Sequence, residues 1–153
     1  MTANPRAERF FFNITVVMIF FIFVGFGASA MYLPEFPFPP SPLVAFHGIT
    51  MLGWYLLTAS QARLIYTSKY DLHKRMGQMS VALVLLMVVT GYLVVRGAFA
   101  NPTSSIGGMT PAGSTIFPSM DLLGFLVFYV LALLNRKNGA AHKRLMVLAG
   151  LMM

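Results

Sequence analysis

The chain has 153 residues, of which 58% are hydrophobic and 10% are charged. Soluble domains average about 25% charged residues, and disordered or coiled-coil chains carry even more charge, so the composition argues against all three classes. The sequence contains no cysteine, which excludes disulfides, thiolate metal sites and a cysteine nucleophile. The class that remains compatible with this composition is a protein of the lipid bilayer.

Four hydrophobic stretches are long enough to cross a bilayer core about 30 Å thick, a distance that takes about 20 helical residues. They run over residues 10–33, 43–66, 76–95 and 116–134. After Arg144, residues 145–153 are also apolar but too few to cross the bilayer, so a partial fifth helix is predicted over residues 142–153.

These stretches are predicted to be helices. Lipid satisfies no backbone hydrogen bond, so a span must be a helix or a barrel strand, and barrel strands alternate between apolar and polar residues. Residues 81–89 do not alternate. We therefore predict an all-α fold: a multi-pass transmembrane helix bundle with four full spans plus a partial fifth, in a single transmembrane domain over residues 1–153.

The two ends of the chain leave alternatives open. Arg6 and Arg9 precede an apolar run that reaches an A-x-A pattern at residues 28–30, which is typical of a secretory signal. The run exceeds the apolar core of about 7–15 residues that signals have, so a retained span is favoured. At the other end, an apolar terminus at mid-membrane depth leaves carbonyl groups poorly satisfied. We expect a fragment truncated at its C-terminus; otherwise the fifth helix only enters the bilayer.

The lysines and arginines predict the orientation of the spans, because short basic loops stay in the cytoplasm. In a four-span arrangement, Arg96 lies alone on one side and the other ten of the 11 basic residues lie on the opposite side. We therefore expect the N-terminus in the cytoplasm. The charges flank spans next to anionic lipid headgroups and form no single patch, so a nucleic-acid partner is not expected.

Polar residues on the second span follow the spacing of one helix face. They recur at steps of three and four residues, as His47, Thr50, Met51, Trp54, Thr58 and Gln61. Polar side chains in lipid tend to face the bundle interior or a water-filled cavity. The stripe is therefore either a functional face or a set of interhelical hydrogen bonds without catalysis.

A cluster near the outer surface is geometrically permitted. His47 and Asp121 lie about one turn below that surface in the predicted spans, and Tyr92 and Arg96 end the third span on the same side. Asp121 needs a cationic or donor partner to stay ionised there. The alternative is a purely structural ion pair between Arg96 and Asp121.

Two histidines, His73 and His142, are predicted at the inner edge and could ligate a b-type haem from facing helices. His47 is 26 residues from His73, too far along a helix for the two to share one haem about 10 Å across. The alternative is that both histidines are interfacial charges. Methionines such as Met76 and Met79 more often fill gaps in apolar bundles than bind copper, so no metal site is predicted.

Small residues on the third span predict a close-packed face. Gly77, Val84 and Gly91 recur at intervals of seven residues, a spacing that brings small side chains to one side of a helix in membrane bundles.

Two segments carry a resemblance to a known family. His47, Gly48, Gly53 and Gln61 are followed by the run from Leu72 to Gly77, and a second motif runs from Ala141 to Met146. Together these paired H-[RK]-R motifs resemble uncharacterised bacterial multi-pass membrane proteins over residues 46–153. The resemblance implies a protein of the bacterial inner membrane in which the three histidines belong to the family pattern, and it implies no activity. A weaker likeness to transmembrane b-type cytochromes supports the haem hypothesis, although their four-histidine layout is incomplete here.

Two functions follow as hypotheses. The first is a non-enzymatic membrane module, a small transporter or a subunit of a larger membrane complex, with an intramembrane polar and histidine face. The alternative is a membrane redox component that binds b-type haem through His73 and His142. Expected partners are the lipid bilayer and other membrane subunits.

Overall fold

The structure, a computed structural model, describes residues 5–32, 40–101 and 110–153. Across these residues the fold consists of five α-helices and contains no strand. Four of the five helices are long and apolar enough to cross a membrane, and the fifth has 13 residues. The predicted all-α bundle with four spans and a short fifth helix is therefore confirmed.

The helices are numbered in chain order. They are α1 (Pro5–Tyr32), α2 (Pro42–Tyr66), α3 (Tyr70–Ala100), α4 (Pro111–Leu134) and α5 (Gly139–Leu151).

Most helices extend beyond the apolar stretches that predicted them. The α3 helix starts six residues before the predicted span and ends five residues after it, since its polar first turns are also helical. The α4 helix starts at Pro111, five residues before the predicted span, because the Thr110 side chain accepts a hydrogen bond from Gly113 N and Pro111 suits the first turn. Hydropathy locates the lipid-facing part of a helix, whereas capping sets its ends.

The turn from α2 to α3 has the hydrogen bonds of a Schellman motif. Lys69 N donates to Leu64 O at 2.8 Å, and Ser68 N donates to Ile65 O at 3.0 Å. Ser68 itself has a φ of 60°, the left-handed conformation that this motif requires at its turning residue. A tight hairpin joins the two helices as a result.

The turn from α4 to α5 uses side-chain caps. The Asn135 amide donates to Leu131 O at 2.9 Å, and Arg136 N donates to Leu133 O at 3.3 Å, so two terminal carbonyls of α4 are satisfied. Asn138 then caps the start of α5 by accepting from Ala141 N at 3.2 Å. Short, capped connections of this kind favour antiparallel neighbouring helices.

The chain divides into two compact units. Unit 1 contains α1, the part of α2 from Gly48 onward and the part of α3 up to Leu86. Unit 2 contains the start of α2 up to His47, the part of α3 from Met87 onward, and both α4 and α5.

Each unit has its own buried residues. In unit 1, Trp54 is fully buried, and a Cβ atom on Gly53 would be in ordinary contact with Leu83, which shows that α2 and α3 pack closely. In unit 2, Phe125 and Tyr129 of α4 are buried with their rings stacked 6.1 Å apart. The Met152 side chain lies over Gly124, so α5 returns along α4.

Large apolar side chains cover much of the outside of these helices. Phe21, Met79 and Leu134 are 65%, 72% and 74% exposed. Exposed apolar area on this scale is unfavourable in water and favourable in lipid. The protein is therefore an integral membrane protein.

Candidate functional site

The polar stripe of α2 lies on the buried side of that helix. Thr50, Trp54 and Gln61 are buried, and His47, Met51 and Thr58 are half-buried. Ile49 and Leu56, which point the other way, are 67% and 52% exposed. The helix thus buries polar groups and exposes apolar ones, the arrangement expected where lipid is the solvent.

The Gln61 amide is the polar contact between α2 and the first turns of α3. Its oxygen accepts from Gly77 N at 3.0 Å, and its nitrogen donates to His73 O at 3.1 Å and to His73 Nδ1. Gly77 and His73 are four residues apart in α3, the spacing of a helical backbone hydrogen bond. One side chain of α2 therefore bridges donor and acceptor on a single turn of α3.

This bridge determines the tautomer of His73. A backbone N–H can only donate and a carbonyl can only accept, so Gly77 and His73 O together fix which end of the Gln61 amide carries the hydrogens. The His73 Nδ1 atom consequently accepts, and in the neutral ring the proton lies on Nε2. In this arrangement Nε2 is a hydrogen-bond donor.

His47 makes its contact in unit 2 with the second half of α3. Its Nδ1 lies 2.9 Å from Thr90 Oγ1, and that hydroxyl also lies 3.2 Å from Met87 O. Thr90 has one hydroxyl hydrogen, so it donates either to the histidine or to the carbonyl, and the His47 tautomer follows that choice. A Cβ atom on Gly91 would lie 3.2 Å from His47 Cε1, so the glycine permits this close approach.

The remaining residues of the predicted outer cluster lie on the exposed side of unit 2. Tyr92 is 59% exposed, and Arg96 and Asp121 are also exposed. Among the described residues, no ion pair joins Arg96 to Asp121. The structure therefore brings His47 to Thr90 and Gly91. The side chains of Tyr92, Arg96 and Asp121 are instead exposed.

Asp121 lies deep within an apolar helix. It comes ten residues after the start of α4 and 13 before its end, which is about 15 Å and about 20 Å along the axis. Its neighbours Phe117, Met120 and Leu123 are all more than half exposed. Within the described part of the chain no hydrogen bond or ion pair is made by its carboxylate.

His142 lies in the first turns of α5 and bonds to the end of α4. Its Nδ1 lies 2.8 Å from Ala132 O, a carbonyl of the last α4 turn. Because a carbonyl only accepts, Nδ1 must carry the proton, and the lone pair of the neutral ring lies on Nε2. His142 completes the satisfaction of terminal carbonyls that Asn135 and Arg136 begin.

A cationic cavity in unit 1 escapes the sequence reasoning. It lies between the start of α1 and the end of α2 and is lined by Arg9, Phe12, Asn13, Arg63, Tyr66 and Thr67. One sequence feature could have indicated this cavity: arginines occur at the facing ends of two consecutive spans, next to an aromatic residue. From the sequence these arginines predict only the orientation of the spans, and so a shared cavity is not predicted.

No three His, Asp or Glu residues in the described ranges are grouped so that they could hold a metal ion. No protein-family model, curated protein or solved structure matches the chain. The contacts of its own residues therefore carry the functional proposal.

Proposed function

We propose that the protein is a non-enzymatic module of the bacterial inner membrane, with its N-terminus in the cytoplasm, that acts as a subunit of a larger membrane complex. The observation that carries this proposal is the exposed carboxylate of Asp121 in the apolar α4 helix. A carboxylate that faces lipid is costly, and ionisable residues in spans almost always face protein or water. A partner subunit that covers this side of α4 removes that cost.

The contacts of the polar stripe favour a subunit over a small transporter. Gln61 bonds to His73 and Gly77, and His47 bonds to Thr90. A proton or ion path along α2 would have to break these bonds, each of which also holds α2 against α3. Interhelical hydrogen bonds of this kind stabilise packing in membrane bundles.

The partner should offer a cation or a hydrogen-bond donor at the depth of Asp121. The Coulomb attraction between two charges is much stronger away from water than at a surface, and removal of one member leaves the other charge buried and unpaired. The surrounding exposed residues Phe117, Met120 and Leu123 would form the apolar part of the same interface.

The test compares Asp121→Asn and Asp121→Leu with Asp71→Asn. Asp71 is an exposed aspartate whose ion-pair partner among the described residues is Lys74, at 3.6 Å, so its exchange removes the same charge elsewhere. After cross-linking in native membranes, both Asp121 variants should lose about tenfold or more of the assembled species, equivalent to about 1.4 kcal/mol. Assembly of both Asp121 variants at the level of the Asp71 control would contradict the proposal.

The His142 contact favours a redox component that binds b-type haem as the second candidate. Histidines that ligate metals usually donate their other ring N–H to a carbonyl or carboxylate, as His142 Nδ1 does to Ala132 O. Haem would supply one-electron redox chemistry. His73, the other predicted ligand, fits less well, because its Nε2 carries the proton while Gln61 bonds to Nδ1.

An absorption spectrum separates the two candidates. If haem binds, protein produced with ample haem supply and purified in detergent should show a Soret band, and His142→Ala should abolish it. The subunit proposal expects a flat visible spectrum and altered assembly on exchange of Trp54 or Gln61. A Soret band that His142→Ala removes would favour the redox candidate over the first.

A further inference from the structure

The cavity between the start of α1 and the end of α2 has a volume of about 430 Å³. Its wall combines the cationic side chains Arg9 and Arg63 with the ring of Phe12. The Glu8 carboxylate, although adjacent in sequence to Arg9, does not line it, and neither does any other acidic residue that the structure describes. The lining is thus electropositive with one apolar side.

Arg9 and Tyr66 are already arranged as hydrogen-bond donors. The Arg9 guanidinium donates to Tyr66 Oη at 3.2 Å, and its central carbon lies 6.0 Å from the centroid of the Tyr66 ring. Since the phenol oxygen accepts from Arg9, the single hydrogen of that hydroxyl remains to donate to a ligand. The remaining N–H groups of Arg9 are held near it by this contact.

Two further donors come from Arg63 and Asn13. Among the described residues, neither side chain donates a hydrogen bond to an acceptor, and neither forms an ion pair. Thr67 differs, because its hydroxyl donates to Arg63 O at 2.9 Å and so closes the end of α2 instead of offering a hydrogen to a ligand. The cavity therefore offers guanidinium, phenol and amide donors to one anion.

We propose that this cavity binds the phosphate group of an anionic phospholipid headgroup. Guanidinium groups bind phosphate oxygens in a bidentate manner, and a basic pocket at the edge of two spans is a typical headgroup site. Both walls belong to helices able to cross a membrane, near the start of one and the end of the next. The site is separate from Asp121 and does not depend on the proposed complex.

The size and the apolar wall favour a lipid over free phosphate. The cavity of about 430 Å³ exceeds the share of liquid volume of one water, about 30 Å³, by more than tenfold. A free phosphate ion would leave most of it unfilled, whereas a headgroup with its glycerol can fill it and place its acyl chains beside Phe12. Aromatic side chains such as Tyr66 also favour the headgroup level of a bilayer.

The test measures the retention of phosphatidylglycerol by the detergent-purified full chain, with native mass spectrometry. Arg63→Gln and Arg9→Gln should each weaken retention by about tenfold or more, because each removes a charge-assisted contact to phosphate. Arg63→Lys should bind with intermediate strength, since it keeps the charge and loses the bidentate geometry. The matched control is Arg75→Gln, an exposed arginine of unit 1 outside the cavity.

Three results would overturn the proposal. Equal loss in Arg75→Gln would assign the binding to general surface charge. Equal retention of uncharged-headgroup lipid, tested with phosphatidylcholine, would show that the anionic charge is not recognised. Displacement of phosphatidylglycerol by inorganic phosphate at equal concentration would assign the site to the free ion. Selective loss in the two cavity variants, with none of these results, supports it.

Discussion

The α2–α3 and α4–α5 hairpins carry the same motif in two chemical states. Each places a His-Lys-Arg sequence at the start of its second helix, with His73 in one and His142 in the other. His73 Nδ1 accepts a hydrogen bond from Gln61, whereas His142 Nδ1 donates one to Ala132 O. The neutral rings are therefore opposite tautomers, although the same Lys-Arg pair follows each histidine.

The difference arises from the preceding helix of each hairpin. The partner of His73 in α2 is a buried side-chain amide, that of Gln61. The partner of His142 in α4 is a backbone carbonyl of the last helical turn, Ala132 O. The Gln61 amide, oriented by the α3 backbone, donates to its histidine ring, whereas a carbonyl can only accept. The neutral His142 ring therefore has its lone pair on Nε2 and the neutral His73 ring has its proton there, so the two motifs cannot be assigned one role from sequence.

Removal of the Gln61 amide should have the largest effect. Gln61→Leu keeps most of the buried volume and removes the bridge, so we expect a loss of about 2 kcal/mol of unfolding free energy. Thermal unfolding in detergent measures this loss. Ser60→Ala is the matched control, because that exposed hydroxyl donates to Leu56 O of its own helix at 2.7 Å and, within the described ranges, bonds to no other helix.

The same variant sharpens the tautomer comparison. Nitrogen-15 NMR of the wild-type chain should show His73 protonated on Nε2 and His142 protonated on Nδ1. In Gln61→Leu the His142 signal should persist while that of His73 changes, since its donor is lost. Identical tautomers in the wild-type rings would refute the difference between the hairpins.

His47, which lies outside both His-Lys-Arg motifs, depends on packing as well as hydrogen bonding. A Cβ atom at Gly91 would lie 3.2 Å from its ring and 3.4 Å from Leu122, whereas one at Gly97 of the same helix would meet nothing within 4 Å. Alanine is a better helix former than glycine by about 1 kcal/mol, but overpacking cancels that gain.

Gly91→Ala should consequently be less stable than Gly97→Ala by roughly 1 to 2 kcal/mol. Paired thermal unfolding curves check the difference. Two variants of equal stability would mean that the His47 ring moves aside at no cost. The packing of His47 against Gly91 would then have no role in holding the ring in place.

The loss of the His142 contact should be smaller. His142→Leu leaves Ala132 O without its donor, for which we expect a loss of about 1 kcal/mol, because water reaches helix ends more easily than helix centres. His142→Gln can donate an amide N–H to the same carbonyl and should unfold near the wild-type temperature. If the two variants lost stability equally, a role for this hydrogen bond would be ruled out.

The spans could be predicted because lipid imposes a simple rule on composition. A run of about 20 apolar residues must be helical, and four such runs gave the four long helices. The additional helical turns at the start of α3 and α4 were missed because polar residues also form helices, and caps such as Thr110 act through local hydrogen bonds.

The contacts of the candidate residues could be predicted only in part. The spacing of three and four residues put His47, Trp54 and Gln61 on one face of α2. Their partners depend on how α2 meets α3 in rotation and height, which a single sequence does not specify. Asp121 illustrates the same limit, since its depth follows from the helix start and its exposure from packing.

A substitution in the turn of the α2–α3 hairpin should have the smallest effect on the free energy of unfolding, and it should stabilise the chain. Ser68 has a φ of 60° at the turning position of the Schellman motif, where glycine lacks the steric cost of a side chain. Ser68→Gly should stabilise the chain by about 0.5 to 1 kcal/mol, because the greater freedom of glycine in the unfolded state offsets part of the gain. Ser60→Gly, the same exchange inside α2, should destabilise it, since the helical backbone there gains nothing from glycine. Opposite shifts in unfolding temperature for the two serines would locate the stored strain at this turn, and a destabilised Ser68→Gly chain would contradict it.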